Sequence, residues 1–280
     1  MDAPGRYVVA GNPVAHSQSP FIHAEFARQT GETLTYDRLL CPLDAFAPTV
    51  RGFATGGGAG CNVTLPFKFE AFALAGERTA RASLAEACNC LRFDTPVWTG
   101  DNTDGAGLVA DIVGNAGVPL RGARILLIGA GGGAAGALGP LVAAGPSELV
   151  VANRTEARAA ALVARHVAAA AAAGTVLRAA SLEAPGRWFD IVVNASASSV
   201  AGAAVPVDAV VLRPGTLAID MMYGPATAPF VAWSREHGAI GRDGLGMLVE
   251  QAAEAFFFWR GIRPRTEAVL DALRRRVDAR

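Results

Sequence analysis

Two sets of residues in this chain have the types and the spacing to do chemistry. The first is a glycine cluster. Arg124 to Leu138 reads RILLIGAGGGAAGAL, an apolar run that stops at Gly129, Ala130, Gly131, Gly132, Gly133 and Ala134 and resumes as small and apolar residues. A strand, a tight glycine turn and a helix start, in that order, bring unpaired backbone N–H groups and the positive end of a helix dipole to one point. That is where the pyrophosphate of a dinucleotide binds. The spacing alone is a weak signal in a chain with 32 glycines, because a plain close-packed turn satisfies it too. What sharpens it lies at the end of the next apolar run, where an acidic residue would bind the ribose hydroxyls of NAD. This chain has Asn153, Arg154 and Thr155 there, with Arg158 one turn further on. A guanidinium pairs with a 2′-phosphate and stacks on adenine, whereas a carboxylate would repel that phosphate. NADP is therefore favoured over NAD.

The second set is polar. NVTLPFK places Asn62, Thr64 and Lys68 at and just beyond the end of a short apolar run, and GDNTDG, Gly100 to Gly105, brings Asp104. A lone lysine is ordinarily a solvated charge, and a polar stretch between glycines is ordinarily a surface turn. The two stretches gain weight from each other and from HSQSP, where Ser17 and Ser19 lead into Pro20. Two hydroxyls at a helix start could hold a small carboxylate, or Ser19 could simply cap the helix.

The elements needed to position these residues follow from the pattern. Tyr7–Ala10, Thr33–Leu40 and Gly60–Thr64 read as strands; between them lie a helix from Ser19 to Gly31 and another over Pro42–Ala54. A helix carries Lys68 beyond the break at Leu65-Pro66, and Thr79–Ala87 is a further helix. Cys88–Leu91, holding Asn89, and Pro96–Thr99 are short strands. The N-terminal region is thus a βαβαβ domain of its own. After a helix near Ala106–Ala116 comes a second series of strands at Arg124–Ile128, Glu148–Ala152, Phe189–Asn194 and Leu217–Met222. The stretches that end the last two, NASASS with Ser196 and DMMYG with Met221 and Tyr223, fall on the carboxyl edge that carries the glycine loop. A final helix over Gly244–Gly261 includes Gln251 and returns to the first domain. The fold class is therefore α/β, with a substrate domain (1–104, completed by 240–280) and a doubly wound Rossmann-like domain (105–239). Asp104 is placed to face a cleft between them.

Composition sets outer bounds. At 280 residues the chain has room for two domains, and 51% hydrophobic against 18% charged residues excludes disorder. Lys+Arg and Asp+Glu both number 25, so no basic field draws nucleic acid or an anionic membrane. Ile125 to Ser147 carries no charge, but glycines and Pro140 interrupt it, and a buried strand-turn-helix explains it better than a membrane span. Cys41, Cys61, Cys88 and Cys90 match neither a disulfide scaffold nor a zinc pair. Reduced thiols, no metal, and no signal sequence in MDAPGRYVVAGN make a cytoplasmic protein the expectation.

The ordered set SQSP, NVTLPFK, ACNCL, GDNTDG, IGAGGGAAG, NRTEAR, DMMYGPATAPF and DGLGMLVEQ resembles the shikimate dehydrogenase family from about Tyr7 to Arg263. NVTLPFK with GDNTDG is far more specific than the glycine loop. The resemblance implies reduction of 3-dehydroshikimate to shikimate with NADPH, by a monomer or homodimer whose partner is a small molecule. It implies Lys68 and Asp104 as the catalytic pair. Ser17 and Ser19 would hold the substrate carboxylate; Asn62, Thr64, Asn89, Tyr223 and Gln251, with the pair itself, would surround the ring. Gly129 to Ala134 would take the pyrophosphate and Asn153, Arg154, Thr155 and Arg158 the 2′-phosphate end, with Ser196, Met221, Gly244 and Met247 completing the cofactor set. Three positions depart from the family: Gly133 where alanine is common, Cys90 where threonine is, and Ala135 where a larger residue is. Two rivals stay open: a quinate/shikimate dehydrogenase using NAD, and a catalytically silent NADP-binding regulator.

Overall fold

The computed structural model describes residues 5–199 and 202–279. The chain forms two compact units, Met1–Gly107 with Leu248–Arg280, and Leu108–Met247.

The first unit runs β1 (Gly5–Gly11), α1 (Ser19–Thr30), β2 (Leu34–Leu40), α2 (Phe46–Thr55), β3 (Gly58–Val63), α3 (Lys68–Leu74), β4 (Glu77–Arg78), α4 (Ala80–Ala85), β5 (Cys90–Arg92) and β6 (Thr99–Asp101). Its sheet order is β2-β1-β3-β5-β6-β4, with β1, β2 and β3 parallel and β5 antiparallel to both neighbours. Successive strand residues face opposite sides. Val8 and Ala10 accordingly join Cys61, Val63, Phe67 and Leu91 in one core, while Tyr7 joins Cys90, Ala255 and Trp259 in another. The second core is closed by α9 (Leu245–Arg260), after which α10 (Glu267–Asp278) ends the description. Trp259 stacks on Tyr7, ring centroids 4.6 Å apart, and its Nε1 donates to the Leu91 carbonyl at 3.0 Å.

The second unit has six parallel strands: β7 (Arg124–Ile128), β8 (Glu148–Ala152), β9 (Val176–Ala180), β10 (Ile191–Asn194), β11 (Leu217–Asp220) and β12 (Ile240–Arg242), in the order β12-β11-β10-β7-β8-β9. The order reverses between β7 and β10, the doubly wound arrangement whose switch point is a ligand crevice. α6 (Gly132–Ala143) follows β7, α7 (Glu156–Ala173) follows β8, and α8 (Ala228–Glu236) precedes β12. The middles of the central strands are apolar and buried, as a sheet covered on both faces requires: Ile125–Ile128, Leu149–Ala152 and Ile191–Val193 are all buried, whereas the edge strands β9 and β12 each carry an arginine.

The structure moves several expected boundaries. Ile240–Arg242 pairs with β11, so these residues belong to the second sheet rather than with the C-terminal helices. The second short strand is Thr99–Asp101, not Pro96–Thr99, which turns the start of GDNTDG from a surface turn into a buried strand. Asp104 opens α5 (Asp104–Ala110), which continues as a π-helical turn over Asp111–Asn115. Ser19 does not cap α1: the helix begins at Ser19 itself, and the Ser17 hydroxyl accepts the Ser19 N–H at 3.3 Å.

Candidate active site

The polar site in the first unit grows from the ends of three strands. β3 delivers Asn62 and, across a cis Leu65–Pro66 bond, feeds α3, whose first residue is Lys68. The turn before β5 delivers Asn89, and β6 leads through Asn102 and Thr103 into Asp104 at the head of α5. Strand ends and helix starts hold side chains more firmly than a free loop can.

The Lys68 ammonium lies 2.6 Å from Asp104 Oδ2, with the two side chains 13% and 7% exposed. Asp104 Oδ1 accepts from Asn89 Nδ2 at 2.8 Å, so both carboxylate oxygens receive donors. Asn89 is the centre of this group. Its Nδ2 also lies 2.9 Å from Thr103 Oγ1 and 3.2 Å from Gln251 Oε1, and its Oδ1 accepts the Thr103 N–H at 2.7 Å. Gln251 reaches the group from α9 and donates its own Nε2 to the Leu248 carbonyl at 2.8 Å. Helix α9 comes this close because α5 has glycine at 107, where a Cβ would stand 2.5 Å from the Gln251 backbone nitrogen. Lys68, Asn89, Asp104 and Gln251 are thus drawn into one network from four separate stretches of sequence.

Asn62 joins by a second route. Its Nδ2 donates to the Asn89 carbonyl at 3.2 Å, and its Oδ1 accepts from the Tyr36 hydroxyl at 2.7 Å. Thr64 lies past the end of β3, its methyl against the place where a Gly11 side chain would be. Ser17 and Ser19 are buried and form a pair, the Ser17 hydroxyl donating to Ser19 Oγ at 3.2 Å. Arg38 fixes that turn by donating to the Ser17 carbonyl at 2.6 and 3.1 Å.

Several supporting residues were not singled out from sequence. Thr103 shares its hydroxyl with Asn89 and Gln251; Asn102 donates to the Ala87 carbonyl at 2.9 Å and accepts the Asp104 N–H at 3.2 Å. Asp101, 1% exposed, receives two donors from Arg81 and one from Thr79. Burial pushes this carboxyl upward, but the Arg81 guanidinium, with the Thr79 hydroxyl and the Asn102 N–H, outweighs that and leaves it below its ordinary value. Arg81 also donates to Glu254 on α9 at 3.1 Å. The GDNTDG motif carried the signal for Asp101, Asn102 and Thr103; nothing local marked Tyr36 or Arg81.

The residues at the carboxyl edge of the second unit fit a dinucleotide. Gly129 has φ +111°, and a Cβ there would meet the Ala195 carbonyl carbon and oxygen and the Ser196 nitrogen at 3.1 Å. Only glycine permits that turn and that approach. Around Gly131 the space is open, and α6 begins at Gly132 with no acidic residue in its first turn and no side-chain cap. Its first N–H groups are thus left without a side-chain acceptor, the arrangement at a helix start that suits an anion. Gly133 and Ala134 lie within this first turn, with Ala130 half-buried before it. At the end of β8, Asn153 Nδ2 donates to the Thr155 carbonyl at 2.8 Å and shapes the turn, while Arg154 and Arg158 are exposed. Ser196 donates to Asn194 Oδ1 at 2.7 Å. Gly244 lies against the backbone of Met221, where a Cβ would come within 2.6 Å of its carbonyl oxygen, and Met247 is buried. Tyr223 is half-buried three residues past β11, in the second unit.

Comparison with known proteins agrees with this geometry. Residues 9–91 match the family model of the shikimate dehydrogenase substrate binding domain, residues 110–202 that of shikimate / quinate 5-dehydrogenase, and residues 244–274 that of the shikimate 5'-dehydrogenase C-terminal domain. A shikimate dehydrogenase (NADP(+)) of Methylibium petroleiphilum is 63% identical over 275 residues, 96% of this chain and 94% of that protein. Among solved structures, an Ael1 enzyme from Pseudomonas putida is 44% identical with a TM-score of 0.85, covering 96% of this chain and 98% of that one. Shikimate 5-dehydrogenase of Thermus thermophilus in complex with NADP(H) and shikimate is 30% identical with a TM-score of 0.83, covering 97% and 99%. A strand-end lysine–carboxylate network in one unit, a doubly wound sheet in the other and 63% identity to a known member over 96% of the chain lead to one assignment: the chain belongs to the shikimate dehydrogenase family.

Proposed function

We propose that the protein is an NADP-dependent shikimate dehydrogenase, reversibly reducing 3-dehydroshikimate to shikimate on the route to chorismate and the aromatic amino acids. The observation that carries the reading is the buried Lys68–Asp104 pair at 2.6 Å, held by Asn89 and Gln251, in a chain 63% identical to an NADP-dependent member. The nicotinamide, when bound, supplies hydride to the ketone carbon. Lys68 then donates a proton to the developing alkoxide and stabilises its charge before transfer. Asp104 keeps the ammonium in place and its other oxygen on Asn89, so the two residues act as a unit. Asn62, Thr64, Asn89, Tyr223 and Gln251 are assigned to the ring hydroxyls, and Ser17 with Ser19 to the carboxylate. Gly129 to Ala134, Ser196, Met221, Gly244 and Met247 are assigned to the dinucleotide, with Asn153, Arg154, Thr155 and Arg158 at its 2′-phosphate.

Among the described residues no helix is long and apolar enough to cross a membrane. A cytoplasmic location, a monomer or homodimer, and no nucleic-acid partner complete the proposal; the equal charge counts of 25 and 25 support the last. The test follows absorbance of reduced nicotinamide with shikimate and with quinate, each offered with NADP and with NAD. Shikimate with NADP is expected to give the highest kcat/KM by at least about tenfold, the scale of one lost charge-assisted hydrogen bond. Comparable turnover of quinate with NAD would establish the broader enzyme, and no turnover in any pairing the silent binder.

A further inference from the structure

Asn62 is an amide whose two ends differ in what they offer a ligand, and the structure fixes which end is which. One end faces the Asn89 main-chain carbonyl at 3.2 Å, a group that can only accept, so that end must be Nδ2. The other end is then Oδ1, and the Tyr36 hydroxyl 2.7 Å away must donate to it. Nδ2 keeps one hydrogen beyond the bond to Asn89. Tyr36 stands on β2, two strands away from β3 in the sheet, so the contact is made across β1.

The Tyr36 ring is itself held. His23, fully buried on α1, stacks on it with centroids 4.2 Å apart and an interplanar angle of 5°. Trp259 and Phe256 from α9 and Phe26 from α1 pack around His23 at centroid distances of 5.5, 6.3 and 6.0 Å. Neither ring nitrogen of His23 has a hydrogen-bond partner, although the Asn62 side chain lies beside it. Burial drives the imidazole to its neutral form, its pKa pushed down to about 3. The ring therefore contributes a flat, uncharged surface and places no competing positive donor next to the amide.

We infer that Tyr36 is a positioning residue: the Asn89 carbonyl decides which end of the Asn62 amide is Nδ2, and the Tyr36 hydroxyl, donating to Oδ1, holds the side chain in that place, so that its second N–H is the group offered to the substrate. The inference rests on the assignment of Asn62 to the substrate site made above. It makes Asn62 selective for an oxygen that accepts, and it places part of that preference on β2, two strands away from the strand that carries Asn62.

Tyr36→Phe removes the hydroxyl and keeps the ring on His23. The expected result is a five- to tenfold rise in KM for shikimate, kcat within about threefold, and KM for NADP within twofold; the unchanged NADP value and thermal midpoint also report an intact fold. In an Asn62→Ala background the same substitution should change KM for shikimate by less than twofold, because the group it acts through is gone. An unchanged KM in Tyr36→Phe, or the full effect persisting without Asn62, overturns the inference. Asn62→Ala measured alone separates the two levels. If it raises KM for shikimate while Tyr36→Phe does not, the positioning role fails and the substrate site stands. If Asn62→Ala leaves that KM unchanged, the assignment of Asn62 to the substrate fails, and the positioning role with it.

Discussion

Replacing Asp104 with asparagine keeps the shape of the side chain and removes its charge. Both oxygens of Asp104 accept in the native site, Oδ2 from Lys68 and Oδ1 from Asn89. An amide has a single acceptor, so one of the two donors must face its NH₂. Asn89 tolerates this better, because its Nδ2 retains Thr103 Oγ1 at 2.9 Å and Gln251 Oε1 at 3.2 Å. The new amide oxygen therefore turns to Lys68, and what is lost is mainly the charge. With the two side chains 13% and 7% exposed, water replaces little of it. Removing one preorganised electrostatic contact from an active site costs about 2.7–4 kcal/mol of transition-state stabilisation, and the retained neutral hydrogen bond puts this variant near the low end, about 3 kcal/mol. At about 1.4 kcal/mol per tenfold, kcat/KM for shikimate should fall by roughly two orders of magnitude. Asp104→Ala, which also removes the acceptor that Lys68 keeps in the asparagine variant, should lose at least a further factor of about ten. Initial rates of NADPH formation measure both, and KM for NADP should stay within twofold as a check on folding. An Asp104→Asn enzyme within fivefold of the parent, or one more damaged than Asp104→Ala, would refute the reasoning.

Three further outcomes are expected. Arg154→Ala should raise KM for NADP by about tenfold or more, the scale of a charge-assisted hydrogen bond, and change NAD little; equal losses for both would remove Arg154 from the 2′-phosphate. His23, with a pKa of about 3 against 6.5 when unfolded, stays neutral in the fold while the unfolded chain binds a proton below 6.5. Stability is therefore fully present above about pH 6.5 and declines as pH falls toward 3, by about 2 kcal/mol at pH 5. Denaturant midpoints at pH 7.5 and 5 should show this step in the parent and lose it in His23→Leu; an identical step in both would place its origin elsewhere. Gly107→Ala would bring a Cβ to 2.5 Å from the Gln251 nitrogen and 2.8 Å from its Cα. It should cost about 1–3 kcal/mol of stability and raise KM for shikimate, and wild-type values of both would show that α9 moves aside freely.

The parts of the fold legible in the sequence are those written in local pattern. The apolar run before Gly129 and the turn it enters need only nearest-neighbour rules, as do the three parallel strands of the first sheet. β9 is not written in local pattern: Val176–Ala180, VLRAA, is a half-exposed edge strand with neither a continuous apolar run nor a clean alternation. β12 is illegible for a different reason: three residues, Ile240–Arg242, carry no period and read with the C-terminal helices that follow, among which α10 does fall. In the site, Lys68 and Asp104 were marked by motif although 36 residues separate them. Tyr36 carries no such mark, since its bond to Asn62 reaches a residue 26 positions away on a strand that is not its neighbour. Aspartate between glycine and asparagine ordinarily marks a turn, so the strand that ends at Asp101 is not written locally. Arg81, which holds it in a strand, can be known only from the folded chain.

The first unit is written in two pieces, and this has a consequence for synthesis on the ribosome. All of Leu108–Met247 is translated before Leu248 appears, an interval of about 140 residues. At roughly 5–20 residues per second that is a wait of about 7 to 28 seconds. During it, the sheet face bearing Tyr7 and Cys90, and the helix face bearing His23 and Phe26, lack the Ala255, Phe256 and Trp259 that cover them in the finished protein. The second unit can complete its sheet meanwhile, since every strand of it lies within one uninterrupted stretch. Lys68 and Asp104 are thus among the earlier residues to be made and among the last to reach their working surroundings, which await a glutamine encoded nearly 150 codons after the aspartate.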